Sequence, residues 1–490
     1  MDDYPKYEPE MIHNDLKNIL PDEALSMSIY ESFNNAIDPY TFASDFNPDN
    51  IPYIVVRPGS TDEVSVLMQY ADSRKIPVYV RGSGTSLHGA SSYRHKGIVL
   101  NVMRLTHLNI IQENGFMELG PGHRVLHLRE ELEKKGYFLP LVPGSIRVAS
   151  FGGLICNNTS AHAVDSCIGK PRDYVLGLEV VLPNGEIIET GTKSLRRQAG
   201  TDLTQYFVGG DGLLGVITGI RMRLVPAFKN AFGIAYFKNL ESLVRSVQRI
   251  YIEKVPLPLF LEFLDQKVGE LTFQIQGLQP PPGPLIMFHA IGQTEHEAAD
   301  KISRLIDVIR KESPIEARRI DDLEEWRKVW LARESALPYV CQAGKGVFAL
   351  SEIVSTVSDL GNCFKDVRNM STGMPTLKKL GDPYIFGHIG ALTFHPVFII
   401  PVDWPREEKA KVVDEMFFRE SEINHKYATA GGEWGQFARR TPFYRKRYGE
   451  RAFDLVRGIK TLFDPNYILN PDILPHTTRL EEEEVPANAR

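Results

Sequence analysis

The chain has 490 residues, with 62 acidic against 56 basic side chains and a net charge of −6. At roughly 100–200 residues per domain this length implies two to four domains. A composition of 43% hydrophobic and 24% charged residues excludes a mostly disordered or fibrous chain, and the near-balanced charge argues against a nucleic-acid binder. The four cysteines, Cys156, Cys167, Cys341 and Cys363, form no C-x-x-C pair, so no local iron–sulfur or zinc-ribbon module is encoded. Sparse thiols fit a reducing compartment. The start, Met1-Asp2-Asp3-Tyr4-Pro5, lacks the apolar core of a signal segment. The most apolar run, residues 396–401, is far short of the about 20 residues a membrane helix needs. The expectation is a cytoplasmic protein, with a peripheral membrane contact left open. The acidic stretch 481–484 reads as a solvated chain end.

Residues 1–50 carry mixed helix and turn signals. Tyr53-Ile54-Val55-Val56 reads as a strand, stopped by Arg57-Pro58-Gly59-Ser60. A helix follows, with Thr61 as its cap and Val64, Val66, Leu67 and Ala71 as its apolar face. Residues 76–80 form a second short strand running directly into Arg81-Gly82-Ser83-Gly84-Thr85-Ser86, and residues 97–102 a third; this order is an α/β signature. Residues 174–182 are apolar and β-branched, turned by Pro183-Asn184-Gly185-Glu186 into a return strand. Residues 215–226 alternate and read as a strand. Beyond Pro226 the pattern gives helices at 240–252, 294–311 and 405–427 and strands at 259–264 and 285–292. Pro280-Pro281-Pro282 forces a loop between those two strands. No repeat of solenoid length is evident.

Glycines directly after a strand let backbone N–H groups close around an anionic group. Ser83, Thr85 and Ser86 add hydroxyl donors there, and Arg81 adds charge. Taken alone, the run is equally a tight surface turn; it is not G-x-G-x-x-G and holds no Walker lysine. Further along come Pro143-Gly144-Ser145, Phe151-Gly152-Gly153, Phe207-Val208-Gly209-Gly210-Asp211-Gly212-Leu213-Leu214-Gly215-Val216-Ile217-Thr218 and Phe463-Asp464-Pro465-Asn466-Tyr467-Ile468-Leu469-Asn470-Pro471. In this order the motifs closely resemble those of the FAD-linked oxidases of the vanillyl-alcohol oxidase/p-cresol methylhydroxylase superfamily. The nearest branch resembles the glycolate oxidase FAD subunit and the D-lactate and D-2-hydroxyglutarate dehydrogenases. The resemblance is densest over 50–226 and returns near the C-terminus. It implies an α+β flavoprotein of two domains: a PCMH-type FAD-binding domain, and a central α+β substrate (cap) domain on an antiparallel sheet. The divisions expected are 1–226, 227–430 and 431–490, the last returning to the FAD site. It also implies non-covalent FAD, with Arg81, Gly82, Ser83, Gly84, Thr85 and Ser86 on the pyrophosphate. Pro143, Gly144, Gly152, Gly153 and Asn158 would lie along the flavin and ribityl chain. Gly212, Gly215, Val216 and Ile217 would lie near the nucleotide, and Asn470 would close over the flavin. Relatives that bind FAD covalently often carry a histidine inside the first loop; here Thr85 and Ser86 stand there, and His88 lies slightly beyond.

His388 and His395 are seven residues apart, an odd spacing that places them on opposite faces of an uninterrupted strand, unless Gly390 supplies a bend. Glu433 follows in Ala430-Gly431-Gly432-Glu433-Trp434-Gly435. Two imidazoles and a carboxylate suit Zn²⁺ or another divalent ion, although satisfied structural histidines fit the same spacing. The hydroxy-acid dehydrogenases carry His-x-Gly-Asp-Gly-Asn-x-His and then Gly-Glu-His-Gly, and by position His388, His395 and Glu433 match their metal ligands. Ala391, Leu392 and Thr393 replace Asp-Gly-Asn, and Trp434 replaces the family's base. Arg333 resembles the family's substrate-carboxylate arginine. With Trp434 in place of histidine, a base could be Glu433, a metal-bound hydroxide, Glu352 or Tyr444. The catalytic candidates are therefore Glu433, Arg333 and Trp434. The basic group Arg439, Arg440, Arg445, Lys446 and Arg447 reads mainly as a solvated helix face.

The function the resemblance implies is FAD-dependent oxidation of a small 2-hydroxy acid, D-lactate- or glycolate-like, by hydride transfer to flavin N5. Electrons would pass to a separate acceptor, either an iron–sulfur protein, an electron-transfer flavoprotein or a quinone. Two alternatives stand beside it: metal-free oxidation of an aromatic alcohol or larger acid, and an electron-relay flavin subunit of a larger complex. A homo-oligomer or complex subunit, and no nucleic-acid partner, are expected.

Overall fold

The computed structural model describes residues 4–39, 51–87, 89, 95–159, 162, 165–196, 200–429, 441–471 and 473–474. The first sheet has four strands. Leu25–Ser26 pairs antiparallel with Ile54–Val56, and Ile98–Asn101 lies parallel between Ile54–Val56 and Val78–Arg81. Helix Thr61–Arg74 makes the crossover, burying Val64, Leu67, Met68 and Ala71. Its cap is Ser60, whose hydroxyl accepts from the Glu63 amide at 3.2 Å. The capping site thus lies one residue before Thr61, whose hydroxyl instead donates to Glu179 Oε1 at 2.6 Å.

A second, antiparallel sheet orders Leu108–Ile111, Phe116–Leu119, Val216–Arg223, Val175–Val181 and Ile187–Gly191. The turn at 183–186 is closed by Gly185 N donating to Leu182 O at 2.8 Å, with Gly185 at φ +87°. A Cβ on Gly185 would also lie 2.8 Å from Ser65 O, so both backbone conformation and packing require glycine there.

The cap sheet is antiparallel and runs Glu316–Ile320, Lys229–Tyr236, Leu285–Gly292, Phe260–Leu264, Tyr384–Gly387, Thr393–Pro401, Gly346–Leu350. Helices Leu240–Ile252 and Glu295–Arg310 bury Leu243, Val247, Ile302, Leu305 and Ile309 in one core with Leu261 and Phe263. Side chains alternate along a strand, so Phe260 and Glu262 face the other way. Phe260 packs into the core of the second sheet with Ile217, Ile220 and Met222, which aims Glu262 toward that sheet. No helix among the described residues is long and apolar enough to cross a membrane.

The C-terminal helix Glu450–Phe463 hands the chain back to the first sheet. Val78 N donates to Ile468 O at 2.7 Å, and Val78 bridges Leu469 in parallel. This return is held by Lys460, which is fully buried. Its ammonium donates to Asp464 Oδ2 (2.5 Å), Leu213 O (2.8 Å) and Leu469 O (2.7 Å).

Candidate active site

A cavity of about 420 Å³ lies where the glycine loops, the C-terminal return and the cap sheet meet. The loop after Val78–Arg81 forms one wall with Gly82, Ser83, Gly84, Thr85 and Ser86. It is laced to the 150 region: Ser150 N donates to Ser83 Oγ at 2.9 Å, and Ser83 N to Ser150 Oγ at 3.3 Å. A Cβ on Gly82 would sit 2.0 Å from Ser150 Oγ. Pro143, Gly144, Gly152 and Gly153 line a second wall, and Gly212, Gly215 and Ile217 a third. Asn470 joins them: its Oδ1 accepts from Val80 N at 3.0 Å, and its Nδ2 donates to Gly212 O at 2.9 Å.

Three residues expected on these walls are turned away from the cavity. Arg81 donates to the carbonyls of Asn34 (3.2 Å) and Ile37 (2.6 Å), tying down the end of helix Ile29–Ala36. Strand alternation explains this, because Val80 faces the cavity. The same alternation sends Val216 into the core beside Ile54 and Leu100 while Gly215 and Ile217 line the cavity. Asn158 ends helix Phe151–Asn157 in a left-handed conformation, its Oδ1 accepting from Arg172 N, and Asn157 and Thr159 line the cavity instead.

At the cap end lies a buried polar cluster. His388 follows strand Tyr384–Gly387, and a short turn, Ile389–Ala391, leads into Thr393–Pro401. The hairpin brings the His388 and His395 rings to 5.0 Å. The bend falls where glycine was expected to permit it, but the residue with positive φ is Leu392, at 58°. Glu262 is completely buried, its Oε1 2.7 Å from His388 Nδ1 and its Oε2 2.6 Å from Arg333 Nη2. Burial alone would raise the Glu262 carboxyl, but Arg333, His388 and His162 together hold it well below the usual carboxylate range. Arg333 is 4% exposed on helix Leu323–Glu334, lines the cavity, and lies over the Phe386 ring at 5.0 Å. Burial, reinforced by His388 and Arg333, pushes His395 well below the ordinary imidazole value. The next residue after Arg333, Glu334, also lines the cavity, and burial raises its carboxyl.

The structure therefore joins Arg333, His388 and His395, and adds two residues the sequence reading missed, Glu262 and His162. Ligand atoms of His162, Glu262 and His388 lie within 4.8 Å of one another, a spacing compatible with a metal ion. Glu433, Trp434, His88, Arg439 and Arg440, together with the Tyr444 side chain, lie outside the described residues. Glu352 is buried but is not a cavity-lining residue. Glu262 carried a legible signal: it is the one polar residue in Leu259-Phe260-Leu261-Glu262-Phe263-Leu264, and a charge placed there must be paired. His162, in Ala161-His162-Ala163-Val164, carried none.

Comparison with known proteins agrees with this layout. Residues 52–191 match the family described as FAD binding domain, and residues 228–473 match FAD linked oxidases, C-terminal domain. The glycolate oxidase subunit GlcD of Bacillus subtilis (strain 168) is 29% identical over 94% of this chain and 97% of its own length. A D-lactate dehydrogenase of Anaerostipes hadrus is 25% identical over 96% of this chain and 98% of its own. Among solved structures, p-cresol methylhydroxylase with substrate bound shares the fold with a TM-score of 0.74 at 15% identity, covering 96% of this chain and 98% of that one.

Proposed function

Since this chain belongs to the FAD-linked oxidases, we propose that it oxidises a small 2-hydroxy acid, D-lactate- or glycolate-like, and passes the electrons to a separate acceptor. The single observation that carries the substrate class is the buried Arg333, opening onto the glycine-lined cavity with Glu262 as its counter-charge. A buried guanidinium suits bidentate recognition of a carboxylate. The names of the relatives, a glycolate oxidase subunit and D-lactate dehydrogenases, support the same class. Dye-linked turnover of purified protein with 2-hydroxy acids and with aromatic alcohols tests the reading. Turnover confined to aromatic alcohols would favour the metal-free alternative, and turnover of neither an electron-relay subunit.

The cavity fits FAD. A Cβ at 82 would displace the Ser150 hydroxyl that accepts from Ser83 N and laces the first loop, and Gly212 at φ +67° faces Asn470 Nδ2. We assign Gly82, Ser83, Gly84, Thr85 and Ser86 to the pyrophosphate, and Pro143, Gly144, Gly152 and Gly153 to the flavin and ribityl chain. Gly212, Gly215 and Ile217 are assigned to the nucleotide and Asn470 to the closing segment. FAD, held non-covalently, supplies the hydride acceptor. Arg333 binds the substrate carboxylate, and Glu262 keeps the arginine in place from the side away from solvent. The division of the chain at 227 and 431 belongs to the same proposal, with the acceptor an iron–sulfur protein, an electron-transfer flavoprotein or a quinone, and the chain a homo-oligomer or complex subunit. Gly82→Ala should lower FAD occupancy at least tenfold, read as the ratio of flavin to protein absorbance after gel filtration. Wild-type occupancy would place the pyrophosphate elsewhere.

A second reading adds a divalent ion such as Zn²⁺, and one observation favours it: the close ligand atoms of His162, Glu262 and His388, with His395 adjacent. His388 and His395 would hold the ion with Glu433 or Glu262, and it would lower the pKa of the substrate hydroxyl. Arg333 already occupies Glu262 Oε2, so an ion there must tolerate the guanidinium. Elemental analysis decides between the readings. One equivalent of metal, lost together with activity on chelation, supports the second; full activity in metal-free protein removes it.

A further inference from the structure

We infer that His162 is the residue that hydrogen-bonds the substrate's hydroxyl group, acting from the FAD-binding side while Arg333 holds the carboxylate from the cap. This rests on the 2-hydroxy-acid reading. His162 is 3% exposed and lines the cavity. Its backbone N–H donates to Val142 O at 3.2 Å, which seats it beside Pro143 and Gly144. Among the described residues, the one atom within 4 Å of a Cβ built on Gly144 is His162 Nε2, at 3.6 Å, so this nitrogen faces the second glycine wall. On the other side, Nδ1 lies 3.5 Å from Glu262 Oε2, the same oxygen that Arg333 Nη2 approaches to 2.6 Å. The imidazole and the guanidinium thus flank one atom from opposite units of the chain. Trp330 and His388 pack edge-on against the His162 ring, each at 5.0 Å between centroids, and fix its plane.

His162 Nε2 has no hydrogen-bond partner among the described residues, Nδ1 has only the long 3.5 Å approach to Glu262 Oε2, and Nε of Arg333 has none. Buried polar groups left without partners are costly, and native sites place them where a ligand completes them. A neutral imidazole offers one N–H and one lone pair. An alcohol hydroxyl offers the complementary donor and acceptor, and a carboxylate matches the lateral fork of arginine. A 2-hydroxy acid carries the two groups on adjacent carbons. A simple carboxylic acid would satisfy Arg333 and leave His162 empty-handed, so the site discriminates in favour of the hydroxylated acid.

The test compares 2-hydroxyisobutyrate, which has no hydrogen on the carbinol carbon and is not oxidised, with isobutyrate, by calorimetry on the FAD-loaded protein. The expected result is 2-hydroxyisobutyrate binding about 10–100-fold tighter, a preference lost in His162→Phe and partly kept in His162→Gln, with isobutyrate affinity unchanged. Both variants should hold FAD as the wild type does, and kcat/KM for the oxidised acid should fall by the same factor as the lost preference. Equal binding of the two acids by wild-type protein overturns the inference, as does a preference that survives in His162→Phe or an equal loss for both acids. Loss of a bound divalent metal in His162→Gln would make His162 a metal ligand and overturn it too. If no 2-hydroxy acid reduces the flavin while the binding preference and its loss are still observed, the activity reading fails and the His162 assignment stands.

Discussion

Arg333→Ala should lower kcat/KM for the 2-hydroxy acid by roughly a hundredfold or more, mostly through KM. Truncating one partner of a buried charged contact costs about 2–5 kcal/mol, and each 1.4 kcal/mol is tenfold. Part of any loss belongs to the protein itself, because Glu262 is completely buried and the arginine is its nearest positive charge, at 2.6 Å. A buried carboxylate that loses its one guanidinium partner and keeps only His388 and His162 costs up to about 3–5 kcal/mol, so the melting temperature should fall as well. The double variant Arg333→Met with Glu262→Gln separates the two effects. It should recover most of the lost melting temperature and none of the lost affinity. Arg333→Lys keeps a charge but loses the planar fork, so its activity should fall between the two. An Arg333→Ala enzyme with unchanged KM would remove the arginine from the carboxylate site.

Lys460→Met should lower the melting temperature on the order of 10 °C and deplete FAD. Met fills a similar volume, but it leaves Asp464 and the carbonyls of Leu213 and Leu469 without their donor in a site fully closed to water. Burial opposes the charge on Lys460 and lowers its pKa, and the Asp464 carboxylate offsets that cost. Breaking such a pair is worth about 3–5 kcal/mol, and each kcal/mol shifts the transition of a domain this large by about 2–4 °C. The cofactor follows because Asp464 Oδ1 and Oδ2 accept from Ile468 N (3.1 Å) and Leu469 N (2.9 Å), one residue before Asn470. Releasing that turn frees Asn470 from Val80 and Gly212, and the cavity loses its closing contact. A Lys460→Met protein with wild-type stability and FAD content would show that the return is held by its apolar packing alone.

Much of this arrangement was legible because it depends on local rules. Proline and glycine marked where strands stop, as at 57–60 and 183–186, and apolar periodicity separated helix 240–252 from the strands around it. The glycine loop and the Asn470 segment were readable as motifs, and both line the cavity. The differences from the expected cavity lining also have local causes. Arg81, Val216 and Asn158 sit next to cavity-lining residues, and strand alternation or a helix cap turns each away. What could not be read was the meeting of distant segments. Glu262 and Arg333 are 71 residues apart and His162 another 100 before them, each in a local context that a core would also accept. Only the packing of the cap sheet over the FAD-side cluster, with Phe260 crossing between them, brings the three together.

The central claim is tested most directly by anaerobic mixing of the FAD-loaded protein with D-lactate and with glycolate, following the visible absorbance of the flavin. The predicted result is full two-electron bleaching by at least one of them, with Arg333→Ala requiring far higher acid for the same rate. A flavin that stays oxidised against every 2-hydroxy acid tried, while dithionite still reduces it, would contradict the proposed activity.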